Sequence, residues 1–397
     1  MSAMKRLLQL MAEKNASDIY LSVGAPINIK ISGKAVPVNQ TVMTPDTVRQ
    51  LLYEILTEKQ ARAFEDELEL NTGYIYENVG NYRISAFQQK GSPAVVVRYI
   101  PSTIPPLDTL DLPETLKDII MQKRGLVLVV GATGSGKTTS IAAMLDYRNA
   151  EKSGHILTLE DPVEFVFKSK KSIVNQREVG TDTKVFQTAL KNALRQAPDC
   201  ILIGEIRDRD TMTSSLQYAQ SGHLCLATLH ANNSYHALNR IISFYPLENR
   251  PTLLLDLSAS LQAIISQRLV RTKIGTRKPA VEIMMNTRHV SELIEKGEVN
   301  EIKDAMEKSM APGSQTFEQA LFKLFVDGHI TQDEAMANSD SPTNMLWLIN
   351  EATAGNLTTG QAPVTPQPDP KKSKDDLGAI SRAGETQFGD IKIDMTT

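Results

Sequence analysis

The sequence predicts an α/β protein in which a small α+β domain precedes a larger domain built on a parallel sheet. The runs "LVLVV", "HILTLE", "CILIG" and "LCLAT" are mostly apolar and alternate with helical stretches, as strands do when both faces of a parallel sheet are covered. Within the first hundred residues, strand-like and helical runs are instead segregated. A glycine-rich phosphate-binding sequence also follows the first of these apolar strands.

The α+β domain is expected over residues 1–100. It opens with a helix whose apolar residues recur at helical spacing. The segment "SDIYLSVGAPINIKISGKAVPV" then predicts two strands joined at the turn over 24–26. A second helix is expected after Thr44, a suitable cap, with Pro45 at its first position. Three further strands are predicted near 72–77, 81–89 and 94–100.

A proline-rich connection, residues 101–112, is expected to join this domain to a second one over 113–352. There a helix over 113–124 precedes "LVLVV", and helices and apolar strands then alternate. Helices are expected to continue to about residue 352. The last stretch, 353–397, is polar, contains several prolines and has few large apolar side chains, so it predicts a disordered tail.

Composition narrows the class of protein. The 397 residues carry a formal net charge of −3, so there is no positive excess for general binding to nucleic acid or lipid. The only two cysteines, Cys200 and Cys225, lie in apolar runs, which predicts buried thiols and neither a disulfide framework nor a metal site. No apolar segment approaches the ~20 residues that span a bilayer. We therefore expect a cytoplasmic protein.

A phosphate-binding loop is predicted between "LVLVV" and the next helix. The segment "VVGATGSGKTTS" fits G-x-x-x-x-G-K-[ST] in the strand–loop–helix context that this motif requires. Glycines let backbone amides close on phosphate oxygens, while Lys137 is expected to reach the β- and γ-phosphates and Thr138 to bind Mg²⁺. The predicted nucleotide contacts in the loop are Gly131, Thr133, Gly134, Ser135, Gly136, Lys137, Thr138 and Thr139.

Acidic residues follow two of the other predicted strands. We expect these strand ends and the phosphate loop to be adjacent and to meet around the triphosphate. Glu205, after "CILIG", would lie beside Mg²⁺, while Glu160, Asp161 and Glu164 of "HILTLEDPVEF" would reach the same edge. One of these carboxylates could position or deprotonate the water that hydrolyses the nucleotide. The residues alone do not choose among them.

Histidines and arginines around these strands leave more than one interpretation open. His223 and His230 flank "LCLAT" and either sense the γ-phosphate or a neighbouring subunit, or are structural histidines. Four arginines carry no functional weight on sequence grounds alone, because surface ion pairing is the ordinary role of such residues. They are Arg83, Arg98, Arg195 and Arg207.

Several segments carry a family resemblance. "LRQAPDCILIGEIRD", "LEDPVEF" and "GHLCLATLH" resemble the signature sequence, the Asp box and the His box of the secretion ATPase superfamily, whose hexameric motors drive type II and type IV secretion and type IV pili. Within it, "SDIYLSVGAP", "SIVNQREVG" and "TFEQALFKLFVDGHIT" are similar to the pilus retraction branch of the PilT/PilU type. The resemblance extends over residues 1–350.

The resemblance implies a PAS-like N-terminal domain joined flexibly to a RecA-like motor domain, assembled as a homo-hexamer. It also implies that ATP binds to the motor domain and that the N-terminal domain closes over it. It implies that Glu164 is the general base and that Glu205 is the acid on the Mg²⁺ side. The other candidate nucleotide contacts are Arg83 and Arg98 on the N-terminal domain, His223 and His230 of the His box, and Arg195 and Arg207 beside "CILIG".

One departure separates the chain from PilT-type motors. Where these carry Asn-Thr-Pro and Ala-Ile-Arg-Asn-Leu-Ile, the chain has "NTRHVSELIEKG", with Arg288 in the proline position and Ser291 in the arginine position. Together with the tail, this favours a PilU-type accessory retraction ATPase. Such a protein depends on a PilT-type paralogue and acts on the inner-membrane platform protein of the pilus in twitching motility.

The sequence disfavours one related class of protein and leaves two other functions open. Two cysteines cannot form the four-cysteine zinc element that is usual in assembly ATPases, which disfavours that branch. A nucleotide-binding subunit of a mixed ring with little turnover, and a nucleic-acid translocase, stay as alternatives.

Overall fold

The structure, a computed structural model, describes residues 2–31, 33–100, 103–308 and 311–353. Two β-sheets with packed helices make up these ranges. None of the helices in them combines the length and the apolar character that crossing a bilayer requires. The predicted tail over 353–397 lies outside the described residues, except for the backbone of Thr353.

The first sheet is antiparallel and lies in the first hundred residues. Its strands are β1 (Asp18–Ser22), β2 (Pro26–Ile31), β3 (Lys34–Val42), β4 (Glu69–Tyr76), β5 (Gly80–Gln89) and β6 (Ser92–Ile100). They lie in the order β3-β2-β1-β6-β5-β4, with every neighbouring pair antiparallel. The helices that pack on it are α1 (Ala3–Glu13), α2 (Pro45–Tyr53) and α3 (Glu58–Glu67). Leu8, Leu52 and Phe64 of these helices are buried in one core with Ile19 and Ile84 of the strands.

The N-terminal elements differ from the sequence prediction in two places. Three strands, not two, precede α2. The sequence does not predict β3 as a separate strand because almost all of its residues are exposed, so that it lacks an alternating apolar pattern. The single helix expected after Thr44 is two helices, since Thr57 opens α3 with a capping box. The start of α2 is as predicted. The Thr44 hydroxyl accepts the Thr47 N–H at 3.2 Å, and Pro45 lies in the first turn.

The second sheet carries the phosphate-binding loop. Its strands are β7 (Gly125–Val130), β8 (Gly154–Glu160), β9 (Ser172–Glu178), β10 (Cys200–Ile203), β11 (Leu224–Leu229), β12 (Leu261–Arg271) and β13 (Arg277–Met285). They lie in the order β13-β12-β7-β11-β10-β8-β9, and only β12 and β13 are antiparallel. The accompanying helices are α4 (Thr115–Ile120), α5 (Lys137–Glu151), α6 (Phe186–Ala193), α7 (Arg209–Gln220), α8 (Ser234–Ser243), α9 (Arg250–Ser260), α10 (Arg288–Lys296), α11 (Ile302–Glu307), α12 (Phe317–Val326), α13 (Gln332–Asn338) and α14 (Pro342–Thr353).

Helices cover both faces of this second sheet, which explains its apolar central strands. Every residue of β7 and β10 is buried. One apolar cluster joins the sheet to α6 through α10, and a second joins the opposite face to α4 and α5. Cys200 and Cys225 are buried free thiols in neighbouring strands, as predicted, and burial raises the pKa of both.

The strand order corrects two expectations. The end of β7 is not adjacent to the ends of β8 and β10, because β11 lies between β7 and β10. The region expected to be helical after "LCLAT" also contains β12 and β13. The polar residues Ser266 and Gln267 interrupt the apolar run of β12, so the sequence pattern does not predict a strand there. The parallel alignment still brings the carboxyl ends of β7, β8, β10 and β11 to one edge, and the candidate site lies there.

Candidate active site

The phosphate loop joins β7 to α5 and is fitted closely against β12. Gly131, Gly134 and Gly136 all have positive φ, of 152°, 78° and 90°, where a side chain would be strained. A Cβ at Gly131 would also lie 2.6 Å from the Gln267 carbonyl oxygen, and one at Gly136 would lie 2.7 Å from Gln267 Nε2. Glycine at these two positions is therefore required by conformation and by space.

The amino end of α5 is suited to an anion. The helix begins at Lys137, and within the described chain no side chain caps its N-terminus. The Lys137 ammonium donates to two carbonyl oxygens of its own loop at 2.7 and 2.9 Å. The buried Ser135 hydroxyl has no hydrogen-bond partner among the residues that the structure describes. Burial lowers the pKa of Lys137, and the charges of Glu205 and Glu164 oppose that shift. Uncapped amides, an ammonium and an unpaired hydroxyl form a donor set that fits phosphate oxygens.

Glu205 is the centre of a charged network beyond β10. Its carboxylate accepts a hydrogen bond from Arg207 Nε at 2.7 Å and lies 3.4 Å from His230 Nε2. Arg207 also lies 3.7 Å from the Asp161 carboxylate, which follows β8. The hydrogen bond to Glu205 raises the pKa of the Arg207 guanidinium. Polar contacts therefore join the ends of β8, β10 and β11 at one edge.

The three carboxylates that end β8 have different surroundings. Glu160 is buried and accepts hydrogen bonds from Thr158 Oγ1 at 2.6 Å and Gln176 Nε2 at 3.3 Å. Burial raises its pKa to about 7. Asp161 faces Arg207. The Glu164 carboxylate lines the cleft described below and has no hydrogen-bond or ion-pair partner among the residues that the structure describes.

Two arginines of the first sheet reach the same place. Arg83 on β5 and Arg98 on β6 are directly opposite each other in the strand register. The Arg98 guanidinium pairs with the buried carboxylate of Asp18 at 3.0 Å. Arg83 has no such partner within the described ranges. One of the two arginines is thus held by the first sheet, and the other is available to a ligand.

A cleft of about 880 Å³ collects most of the predicted site residues, and its size is typical of a small-molecule site. It lies between the phosphate loop, the carboxyl ends of the second sheet and the paired arginines. The predicted residues that line it are Arg83, Arg98, Thr133, Gly134, Gly136, Lys137, Thr138, Thr139, Glu160, Asp161, Glu164, Glu205, Arg207 and His230. The remaining loop residues, Gly131 and Ser135, are buried within the loop.

Two predicted site residues lie elsewhere. His223 immediately precedes β11, at the amino end of the strand, and its Nδ1 lies 3.3 Å from the Tyr218 carbonyl oxygen. Arg195 belongs to a short turn over Leu194–Gln196 that leads towards the amino end of β10. Neither lines the cleft, which is formed by the opposite ends of the strands. A nucleotide-contacting role for these two residues stays a prediction.

Three polar side chains at the site were not predicted from the sequence: Gln267, Asn81 and Glu178. Gln267 Oε1 accepts a hydrogen bond from Ser140 Oγ of α5 at 2.7 Å and supports the phosphate loop from behind. Asn81 Nδ2 donates to the Glu164 carbonyl oxygen at 3.5 Å, across the two sheets. Gln267 and Asn81 are polar residues that are buried on strands, and no local pattern in the sequence marks them as part of the site.

A family model described as "Type II/IV secretion system protein" matches residues 2–316. The chain belongs to this family. The matched range includes both sheets and every residue that lines the cleft. The family expected from the motifs is therefore confirmed.

Relatives of this secretion-family chain cover nearly all of it. The Type IV pilus ATPase PilU of Pseudomonas aeruginosa is 45% identical over 359 residues, which are 89% of this chain and 94% of PilU. The Type IV pilus retraction ATPase PilT of the same organism is 40% identical over 85% of this chain and 98% of PilT. A crystal structure of the pilus retraction motor PilT with bound ADP is similar with a TM-score of 0.80 and 39% identity, over 87% of this chain and 98% of that one.

Proposed function

We propose that the chain is an ATP-hydrolysing motor that assists type IV pilus retraction together with a PilT-type paralogue. The observation that carries the proposal is the single cleft that holds the phosphate loop, the carboxylates beyond β8 and β10, and the two arginines of the first sheet. Similarity to PilU and PilT over most of the chain supports the same conclusion. We further propose a cytoplasmic homo-hexamer at the pilus base, which acts on the inner-membrane platform protein.

ATP binding is assigned to the phosphate loop. The amides at the start of α5 would surround the phosphates, since no side chain in the described part of the chain caps them. Lys137 would exchange the carbonyl oxygens of its own loop for the β- and γ-phosphate oxygens. A charged acceptor binds an ammonium more strongly than a neutral carbonyl does, so this exchange favours the nucleotide-bound state.

The residues of the cleft also fit a magnesium ion that accompanies the nucleotide. Thr138 at the start of α5 and Glu205 beyond β10 line the same cleft, and a hydroxyl and a carboxylate are the oxygen ligands that Mg²⁺ prefers. We assign these two residues to hold it. The ion would supply positive charge that stabilises the phosphates during hydrolysis. Arg207 orients the Glu205 carboxylate through its hydrogen bond.

Glu164 is assigned as the general base because the other two carboxylates are already engaged. Glu160 is buried and its carboxylate accepts hydrogen bonds from Thr158 and Gln176, while Asp161 faces Arg207. Glu164 would accept a proton from water as the water oxygen bonds to the γ-phosphorus and the bond from that phosphorus to ADP breaks. The products are ADP and inorganic phosphate.

Domain closure is assigned to movement of residues 1–100 relative to 113–352 about the connection over 101–112. Arg83 and Arg98 would then stabilise charge on the γ-phosphate from the opposite side of the cleft. A nucleotide that contacts both parts binds the closed arrangement more tightly, and this difference in affinity is what shifts the equilibrium.

Glu164→Gln tests the assignment of the base. The steady-state ATPase rate should fall by about 10²-fold or more, while the affinity for ATP should change by less than about threefold, because the phosphate loop is untouched. Glu160→Gln is the matched control, with the same substitution on the same strand end, and should retain most of the activity. Full activity in Glu164→Gln would exclude that residue as the base.

The role in retraction is tested in cells that carry this motor with and without the PilT-type paralogue. We expect retraction only when both are present, and loss of the assisting effect with Glu164→Gln. Retraction driven by this chain alone would contradict the accessory role. Tight ATP binding by the purified protein without turnover would instead support the nucleotide-binding subunit.

A further inference from the structure

Glu178 ends β9, the edge strand of the second sheet, in the "NQREVG" segment to which the proposed function assigns no role. The residue is only 9% exposed, although a carboxylate is costly to bury without partners. Its carboxylate lies between the loop that carries Glu164 and strand β4 of the first sheet. The loop carries the proposed base, and the first sheet carries the arginines that are proposed to contact the γ-phosphate.

The first contact is a hydrogen bond to the backbone beside Glu164. Glu178 Oε2 accepts the N–H of Val163 at 3.0 Å. Its other oxygen accepts the Thr181 hydroxyl at 2.8 Å, so the side chain is fixed at both ends of the carboxylate. Hydrogen bonds to a charged acceptor are stronger than those between neutral groups. The peptide between Pro162 and Val163, one residue before Glu164, is therefore held by this side chain.

The second contact is a close approach of the first sheet. A methyl group at Gly73 of β4 would lie 2.9 Å from Glu178 Oε2 and 3.5 Å from its Cδ. Only a glycine lets β4 come this near while the carboxylate keeps its hydrogen bonds. Gly73 is directly opposite Arg83 in the strand register, and Asn81 donates to the Glu164 carbonyl oxygen. The sheet that carries Arg83 thus contacts the Glu164 loop directly through Asn81 and approaches Glu178, which holds that loop, at Gly73.

We propose that Glu178 is a positioning residue that fixes the location of Glu164, and that this location depends on how closely β4 packs against Glu178. Packing of the first sheet against Glu178 and alignment of the base would then occur together. The inference rests on the proposed role of Glu164 as the general base.

The experiment uses the full-length chain and four variants: Glu178→Ala, Glu178→Gln, Gly73→Ala and the double variant of Glu178→Ala with Gly73→Ala. The measurements are kcat and KM for ATP hydrolysis, affinity for a fluorescent ATP analogue, and the thermal unfolding midpoint. Ile75→Ala is the matched control, since Ile75 is exposed and lies two residues along β4 on the same face.

Glu178→Ala should lower kcat by about 10-fold or more with nucleotide affinity kept within about threefold, because a misplaced base slows chemistry but not binding. Glu178→Gln keeps an acceptor for the Val163 N–H and should retain at least about a third of kcat. Gly73→Ala should lower kcat by about 10-fold alone but have no further effect beside Glu178→Ala, where the methyl group has room. Ile75→Ala should behave as the unmodified chain.

Three results would overturn the proposal. One is an unchanged kcat in Glu178→Ala. Another is a joint loss of kcat, nucleotide affinity and thermal midpoint in both Glu178 variants, which would indicate a purely structural role. The third is an equal cost of Gly73→Ala in both backgrounds. An inactive Glu164→Gln beside a fully active Glu178→Ala would refute only the positioning role, whereas an active Glu164→Gln would refute the base itself.

Discussion

Replacing Glu160 with glutamine should remove a pH-dependent loss of stability that the buried carboxyl imposes on the protein. Burial raises the pKa of Glu160 from 4.5 to about 7 in the folded chain, so the folded state keeps a proton that the unfolded chain releases. Stability from this group is fully present below the ordinary pKa and is lost as the pH rises towards 7. The full loss corresponds to roughly 3 kcal/mol, of which about 2.5 kcal/mol falls between pH 5 and pH 8.5.

Urea unfolding of the nucleotide-free protein, followed by far-UV circular dichroism over that pH range, measures the effect. The free energy of unfolding of Glu160→Gln, relative to the unmodified chain, should rise by about 2.5 kcal/mol from the acidic to the basic end. Any constant cost of placing an amide there cancels in this comparison. Glu77→Gln, at an exposed position after β4, should show no such rise. Parallel curves for Glu160→Gln and the unmodified chain would refute the reasoning.

Two further predictions concern the cleft. Gly131→Ala should weaken ATP-analogue binding by about 10-fold or more, because its methyl group would lie 2.6 Å from the Gln267 carbonyl oxygen at a residue with positive φ. Fluorescence titration measures this affinity. An unchanged affinity would contradict the close packing of the phosphate loop against β12. Arg83→Ala and Arg98→Ala should each lower the single-turnover hydrolysis rate by about 10-fold or more. Asp18→Asn should reproduce part of the rate loss of Arg98→Ala, because Arg98 loses its ionic partner. Unchanged hydrolysis rates in all three variants would show that these arginines of the first sheet take no part in hydrolysis.

The parts of the site that sequence could predict are those with local signals. The phosphate loop has fixed spacing within one strand–loop–helix unit, and the carboxylates beyond β8 and β10 follow apolar runs directly. The order of the strands depends instead on packing across the whole sheet, and for this reason the sequence does not predict that β11 lies between β7 and β10. Contacts of high sequence separation had no signal either. Ser140 and Gln267 are 127 residues apart, and Asn81 and Glu164 are 83 apart.

The two positions at which the resemblance marks a departure from PilT-type motors, Arg288 and Ser291, lie on a helix surface outside the cleft. Thr287 caps α10 by accepting the Val290 N–H at 3.3 Å, and the apolar face of the helix stays buried. Ser291 is the residue in the arginine position. Its Oγ donates a hydrogen bond to the Ser258 carbonyl oxygen at 3.0 Å, so this side chain contacts the backbone of the same chain. Arg288 is almost fully exposed. Because neither residue lines the cleft, the dependence on a paralogue proposed above would follow from what this outer surface contacts and not from a loss of catalytic residues.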